Sequence, residues 1–232
     1  MNIQQFRYGA DNLAYVIYGN KEAVAVDPGA VNDILSFVRD RALFIRYVVN
    51  THTHPDHTTG NQKVLDKTGA EYIEPKELAR NGGLPLDGET IKVYATPGHT
   101  RDSVVFHFNG TLVTGDTLFV GKAGKCMTGD FNALLESLKF LMSFPDDTVI
   151  YPGHDYVEEY MDTAKTVEPD NPAIDQFRGT YSPDHVVSTL ADEYQMNPTL
   201  RFNRPELIDK LKERGLSVET ELDRFRSVMW IV

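Results

Sequence analysis

The sequence predicts a layered α/β sandwich followed by a helical carboxy-terminal appendage. Two β-rich halves, each with helices of its own, precede a third part in which strand patterns vanish from about Val157 onward. Helix-like segments in that third part are separated by prolines. No internal repeat of roughly 20–50 residues is visible. We therefore expect a main domain over residues 1–165 and a helical region over residues 166–232.

The first half is predicted to consist of strands that lead into helices. Alternating and apolar runs predict strands over residues 4–8, 13–18, 22–26 and 44–50. A turn at Asp27-Pro28-Gly29 precedes a predicted helix over residues 32–41, in which Ile34 and Val38 recur at helical spacing. A second helix is predicted over residues 58–67 and ends near Gly69.

The second half repeats this arrangement. Strands are predicted over residues 90–95, 103–109 and 111–114, and the Asn109-Gly110 pair predicts a hairpin turn between the last two. A helix over residues 132–144 and a short buried strand over residues 148–151 complete this half.

The charge and cysteine content argue against several classes of protein. Acidic residues outnumber basic ones 34 to 23, for a net charge of −11, whereas nucleic-acid binding needs an excess of Lys and Arg. Cys126 is the only cysteine, so the chain forms no intrachain disulfide and no cysteine-based zinc site. Neither a signal-peptide pattern nor an apolar run of roughly 18 residues is present. We expect a cytoplasmic protein without membrane or nucleic-acid partners.

The segment between the fourth strand and the second helix carries the strongest functional signal. Three histidines and an aspartate occur within six residues there, at His52, His54, Asp56 and His57. Residues two apart on an extended chain share a face, so His52 and His54 can aim at one point. Asp56 and His57 follow at the start of the helix and can aim at a neighbouring point. Imidazole and carboxylate are the ligands expected for zinc, iron or manganese.

Three further polar residues stand just beyond predicted strands, each directly after a glycine. They are His99, Asp116 and His154. A glycine there lets the backbone turn tightly and present the next side chain at the edge of the sheet. Five of the seven histidines fall into this pattern, which favours a metal site over a histidine-rich surface loop.

At these residues the sequence resembles the metallo-beta-lactamase superfamily, whose signature is His-x-His-x-Asp-His followed by a distant His, Asp and His. All seven positions match. The resemblance implies an αββα sandwich and two divalent metal ions, with zinc as the first choice and iron or manganese as alternatives. It implies that Asp116 lies between both ions, the first held by His52, His54 and His99 and the second by Asp56, His57 and His154.

Such an arrangement suits hydrolysis. Two divalent cations about 3.5 to 4 Å apart can depress the pKa of a shared water towards neutrality, and the resulting hydroxide can attack a carbonyl that one cation polarises. A thiolate, with a pKa of about 8.5, can leave without a dedicated acid. Asp56 and Asp116 are thus catalytic candidates as metal ligands, and no Ser or Cys nucleophile is needed.

A longer neighbourhood resembles glyoxalase II, the hydroxyacylglutathione hydrolases, over residues 1 to about 203. Similar segments include residues 115–121, 153–156, 167–174 and 188–194. That family hydrolyses S-D-lactoylglutathione to D-lactate and glutathione. The resemblance implies a small-molecule thioester substrate, whose glutathione part would contact Lys125 and Tyr156. It also implies that residues 166–232 form a substrate-binding region.

Two positions differ from that pattern and leave alternatives open. Met127 stands where the family has a second tyrosine, and no terminal basic cluster is recognisable near Arg224 and Arg226. The thiol carrier is therefore glutathione or another thiol. The alternative functions are a persulfide dioxygenase with a single iron, or a lactonase or phosphodiesterase of the same superfamily. Monomer and homodimer both stay open.

Three neighbours of the ligands are candidates for orienting the imidazoles. They are Thr51, Thr100 and Asp155, since metal-bound histidines usually donate their second N–H to a polar partner. Asp155 suits a helix amino-terminal cap equally well.

Overall fold

The strands form two β-sheets and one small hairpin. The computed structural model describes residues 1–232. The strands of the first sheet are β1 (Asn2–Tyr8), β2 (Asn12–Tyr18), β3 (Glu22–Val26), β4 (Phe44–Val49) and β5 (Glu71–Ile73), in that spatial order. Those of the second are β6 (Gly83–Leu86), β7 (Glu89–Ala95), β8 (Val104–Phe108), β9 (Thr111–Gly115), β12 (Val149–Pro152) and β13 (Ser188–Thr189). The hairpin pairs β10 (Leu118–Phe119) with β11 (Lys122–Ala123).

The second sheet has the spatial order β13-β12-β9-β8-β7-β6. Ten helices accompany the sheets: α1 (Val31–Asp40), α2 (Pro55–Thr58), α3 (Asn61–Thr68), α4 (Pro75–Asn81), α5 (Phe131–Leu141), α6 (Val157–Val167), α7 (Pro172–Arg178), α8 (Leu190–Met196), α9 (Pro205–Glu213) and α10 (Glu221–Ile231). None of these helices combines the length and the apolar character needed to span a bilayer.

Strand β2 shows why the sheets stack between helices. Its side chains alternate between two apolar environments, because successive residues of a strand point to opposite faces. Leu13, Tyr15 and Ile17 pack in the core between the two sheets. Ala14 and Val16 belong to a second core, shared with α1 and α3. A strand buried on both faces is apolar at nearly every position, as β2 is.

The second sheet is covered in the same way on its outer face. A third core joins Val105 and Ile150 of this sheet to Leu138 of α5, Leu190 of α8 and Phe225 of α10. The order of layers is therefore helices, sheet, sheet, helices, which confirms the predicted α/β sandwich. The predicted division at residue 165 falls inside α6 and stays a prediction.

Several short elements differ from the sequence-based expectation. The predicted helix over residues 58–67 corresponds mainly to α3, and its first residue, Thr58, instead ends the short helix α2; Gly60 between them lies against the carbonyl of Pro28, where a Cβ atom would not fit. The elements β5, α4 and β6 were not predicted, since they are short and largely exposed or lack a clear period. The carboxy-terminal part is not purely helical, because β13 pairs antiparallel with β12.

Candidate metal centre

The loops that follow β4, β7, β9 and β12 bring all seven predicted ligands together at one end of the sandwich. The ligands form two groups, and within each group the possible ligand atoms lie within 4.8 Å of one another. The first group is His52, His54, His99 and Asp116, and the second is Asp56, His57 and His154.

The first group converges on the Nδ1 atom of His54. This atom lies 2.8 Å from Nε2 of His52 and 3.1 Å from Nε2 of His99. The carboxylate of Asp116 closes the group, with Oδ2 at 3.4 Å from Nε2 of His99 and 3.8 Å from Nε2 of His52. His54 thus presents a different ring nitrogen from the other two histidines.

The second group lies directly beside the first and shares Asp116 with it. Nε2 of His57 lies 3.1 Å from Nε2 of His154, and Oδ2 of Asp56 lies 3.5 Å and 3.3 Å from these two atoms. Asp116 reaches both histidines, with Oδ1 at 3.4 Å from His57 and Oδ2 at 3.6 Å from His154. One carboxylate therefore faces both groups.

Hydrogen bonds on the outer ring nitrogens set the tautomers of the candidate ligand histidines. Nδ1 of His99 donates to the carbonyl oxygen of Lys125 over 2.9 Å, and Nδ1 of His154 donates to Oδ1 of Asp11 over 2.9 Å. With the proton held on Nδ1, the lone pair of each Nε2 points into the cluster.

Asp27 orients His57 directly and His52 through Thr51, a role that was not predicted from the sequence. Its carboxylate lies 3.0 Å from Nδ1 of His57 and also accepts hydrogen bonds from the backbone N–H and the hydroxyl of Thr51. The Thr51 oxygen in turn lies 3.1 Å from Nδ1 of His52, as predicted for this threonine. The signal available was that Asp27 directly follows β3, at the same edge of the sheet as Asn50 after β4.

The two other candidate orienting residues act elsewhere. The hydroxyl of Thr100 pairs with that of Ser103 at 2.7 Å. Asp155 accepts hydrogen bonds from Arg7 and from the hydroxyl of Tyr181. Its Oδ1 also accepts a long hydrogen bond of 3.5 Å from the backbone N–H of Val157, the first residue of α6, although the N-cap position itself is Tyr156.

The donor set and its polarity fit a bound cation. The Nε2 atoms of His57 and His154 face each other at 3.1 Å, and Oδ1 of Asp116 is buried without a hydrogen-bond partner. Ligand atoms of a tetrahedral site with metal–nitrogen bonds of about 2.0–2.1 Å lie about 3.3 Å apart. The separations of 3.1–3.5 Å within the second group match this spacing.

The pKa values of the side chains in the cluster also fit a bound cation. Burial on its own lowers the pKa of His57, but the carboxylates of Asp27 and Asp116 outweigh it and raise the pKa to about 11. Burial and the neighbouring charge of His57 lower the pKa of His52 to about 4. Burial on its own would raise the pKa of Asp116, yet His57 and His154 hold it well below its usual range. A proton on His57 thus occupies a place suited to a metal ion.

Gly153 leaves the room that this cluster needs. A Cβ atom on Gly153 would lie 2.2 Å from Oδ1 of Asp116 and 3.0 Å from Cε1 of His57. Both distances are too short for unstrained packing, so this backbone can approach the two side chains only as glycine.

The predicted substrate-binding residues lie on opposite sides of the cluster. Lys125 is exposed, and its carbonyl holds His99. The ring of Tyr156 stacks on that of His154, with 4.9 Å between centroids. Met127, which replaces the expected second tyrosine, is 57% exposed and available for contact.

Comparison with known proteins agrees with this geometry. The family model described as the metallo-beta-lactamase superfamily matches residues 8–88 and 82–154, a span that contains every ligand of both groups. The chain belongs to the metallo-beta-lactamase superfamily.

Similar members of this superfamily are named hydroxyacylglutathione hydrolase. One, from Chromohalobacter salexigens, is 31% identical over 94% of this chain and 93% of its own length. Another, from a Polaromonas species, is 37% identical over 87% of this chain and 85% of its own length. The expected membership is thereby confirmed, and the chain is an enzyme, a metal-dependent hydrolase similar to the hydroxyacylglutathione hydrolases.

Solved structures of this superfamily share the fold. ETHE1 from Myxococcus xanthus superposes with a TM-score of 0.68 at 25% identity, over 98% of this chain and all of that one. The B3 metallo-beta-lactamase BLEG-1 gives a TM-score of 0.64 at 22% identity, over 86% of this chain and 99% of that one. These superpositions show that the chain shares the overall fold of both proteins.

Proposed function

We propose that this metallo-beta-lactamase superfamily member hydrolyses S-D-lactoylglutathione to D-lactate and glutathione with two divalent metal ions, zinc in preference to iron or manganese. The observation that carries the proposal is the carboxylate of Asp116 between two adjacent ligand groups. The names of the relatives, which match this chain over most of its length, support a hydroxyacylglutathione as the substrate.

We assign the ligands by the groups that the side chains form. His52, His54 and His99 would hold the first ion, and Asp56, His57 and His154 would hold the second. Asp116 would contact both, because each of its oxygens faces a histidine of a different group. When bound, the ion pair would supply a water of lowered pKa and polarise the thioester carbonyl.

The protein's own contribution is orientation and binding. Asp27, Asp11 and the carbonyl of Lys125 keep the imidazoles in the metal-binding tautomer, so no side chain has to reorganise during turnover. Lys125 and Tyr156 would contact the thiol carrier on either side of the cluster. The thiolate of glutathione is a sufficiently weak base to leave without a protonated acid beside it.

The test joins metal analysis with turnover. We expect protein purified and reloaded with zinc to hold two ions per chain and to hydrolyse S-D-lactoylglutathione. The variant His54→Ala should lose metal and turnover together. His185→Ala is the matched control, because His185 is exposed and outside both groups.

Two results would contradict the proposal. One is the absence of turnover on glutathione and coenzyme A thioesters by protein that holds both ions. The other is a single iron per chain together with oxygen consumption on glutathione persulfide, which would establish the dioxygenase alternative. Hydrolysis of lactones or phosphodiesters instead of thioesters would assign a different substrate class to the same site.

A further inference from the structure

Lys122 is a half-buried cation near the candidate metal centre, and it forms no salt bridge. Its Nζ atom lies 5.0 Å from the ring centroid of Tyr160, and the side chain makes no ion pair or hydrogen bond. Burial lowers the pKa of Lys122, and the charge of Glu159 opposes this in part. Removing an ammonium group from water without a partner is unfavourable, and an anion bound beside it would offset that cost.

The hairpin places Lys122 on the side that faces the second ligand group. Lys122 and Phe119 are cross-strand partners of β10 and β11, so their side chains lie on the same face. The ring of Phe119 lies 6.0 Å from that of His154 and 5.5 Å from that of Tyr156. Tyr156 and Tyr160 are neighbours in turn, at 5.4 Å between centroids. An aromatic wall thus leads from the ligand His154 to the ammonium group of Lys122.

The backbone around Lys122 is held rigidly from the carboxy-terminal region. The N–H of Gly121 donates to the buried carboxylate of Glu193, and the N–H of Ala123 donates to the hydroxyl of Thr199 over 2.8 Å. Both acceptors are fully buried. Because Gly121 and Ala123 are both anchored, the backbone of Lys122 has a fixed position. Binding residues usually extend from such a rigid backbone, whereas mobile surface lysines do not.

The arginines of the last helix are engaged elsewhere. Arg224 donates to Asn203 over 2.8 Å and to the carbonyl of Val218 over 3.1 Å. The guanidinium of Arg226 lies over the ring of Phe131 at 5.5 Å. An anionic thiol carrier therefore needs other cationic side chains to bind it. Lys122 is a cation that forms no salt bridge, and it lies on the side of the second ligand group.

We propose that Lys122 is a specificity-determining residue, which binds a carboxylate of the thiol carrier while the acyl group lies at the metal centre. The proposal deepens the proposed function and rests on it. Lys122 would act beside His154 and Lys125 beside His99, so the two lysines flank different halves of the centre. A carrier with anionic groups would then be favoured over a neutral one, although the whole chain is acidic.

The test compares kcat/KM for three thioesters of D-lactate. The carriers are glutathione, which supplies carboxylates, coenzyme A, which supplies phosphates, and N-acetylcysteamine, which is neutral. For Lys122→Gln we expect the glutathione-to-neutral ratio to fall about tenfold, the range of a hydrogen bond to a charged group. Lys122→Arg should restore part of the ratio. Added salt should lower the ratio in the unchanged protein and much less in Lys122→Gln.

Matched variants separate the possible outcomes. Lys76→Gln removes the same charge from an exposed position on α4 and should leave the ratio unchanged. Equal losses of kcat/KM on all three thioesters in Lys122→Gln, with the same losses in Glu159→Gln, would mean that Lys122 has a structural role and would overturn the proposal. A glutathione-to-neutral ratio that is unchanged in Lys122→Gln would overturn it as well. A fall in kcat/KM that is confined to the coenzyme A thioester would mean that Lys122 binds a phosphate and not a carboxylate, which would overturn the proposal as stated. Absence of all turnover by the unchanged protein would instead count against the proposed function.

Discussion

Nδ1 of His57 lies 3.0 Å from Oδ2 of Asp27, and both side chains are completely buried. Asp27 follows β3, whereas His57 belongs to α2 beyond β4. The same carboxylate accepts hydrogen bonds from Thr51 and from the side chain of Asn50 over 3.2 Å. One buried anion therefore fixes the whole turn that carries the ligands after β4.

Replacement of Asp27 by asparagine should weaken the second metal ion. Asparagine keeps the shape and tolerates the positive φ of 49° at this position, but it removes the charge that stabilises the His57 N–H donor. We expect metal affinity to fall about 10- to 100-fold. Competition with a chelating dye measures this, and Asp33→Asn at an exposed position of α1 is the control. Equal affinity in both variants would refute the role given to Asp27.

Metal binding should release a proton from His57. The pKa of about 11 in the metal-free cluster means that this imidazole is charged at pH 8, whereas a metal ligand must be neutral. Apparent metal affinity should therefore rise about tenfold per pH unit below that pKa. Calorimetric titration of zinc at pH 8 in buffers of different ionisation enthalpy measures the protons released. A binding heat that is independent of the buffer would contradict this expectation.

Substitution of Gly153 by alanine should disrupt the cluster without touching a ligand. The added methyl group would lie 2.2 Å from Oδ1 of Asp116, so the carboxylate between the two groups must move. We expect about a hundredfold loss of turnover, since a displacement of about 1 Å can have that effect. Gly179→Ala is the control, because a methyl group there meets nothing closer than 3.5 Å. Comparable turnover in both variants would show that the cluster adapts.

The ligands could be predicted from sequence and most of their supports could not. His52, His54, Asp56 and His57 stand within six residues, so spacing along one strand end and one helical turn brings them together. Asp11 and Asp27 become partners of histidines only through the pairing of distant strands. Asp27 directly follows β3, but nothing local shows that either carboxylate contacts a histidine.

The same limit applies to the fold. Strands of five or more residues that form continuous apolar runs, such as β2, were predictable from their composition and length. The two-residue strand β13 has no period, and its existence depends on the exposed edge of β12.

Glu193 should make the stability of the protein fall as pH rises. Burial raises the pKa of Glu193 from 4.5 to about 7, against the hydrogen bonds from Ser188, Asn197 and Gly121. Between these values the folded state keeps a proton that the unfolded chain has lost. The contribution to stability is therefore full below pH about 4.5 and is lost as pH rises to about 7, by about 3 kcal/mol in total.

Urea unfolding at several pH values, in chelator, measures this contribution. In Glu193→Gln the free energy of unfolding should no longer fall between pH 4.5 and about 7 by this amount, because the amide does not ionise. Glu213→Gln, at an exposed position of α9, should keep the slope of the unchanged protein. Parallel curves for Glu193→Gln and the unchanged protein would show that this carboxyl group titrates normally.

The pairing of β13 with β12 has a consequence for biosynthesis. While the chain is still on the ribosome, β12 is complete long before Ser188 and Thr189 emerge. Until they do, β12 is the outermost strand of its sheet, and its backbone can recruit a strand from another nascent chain. The addition of these two residues therefore covers a strand edge that is otherwise open to self-association.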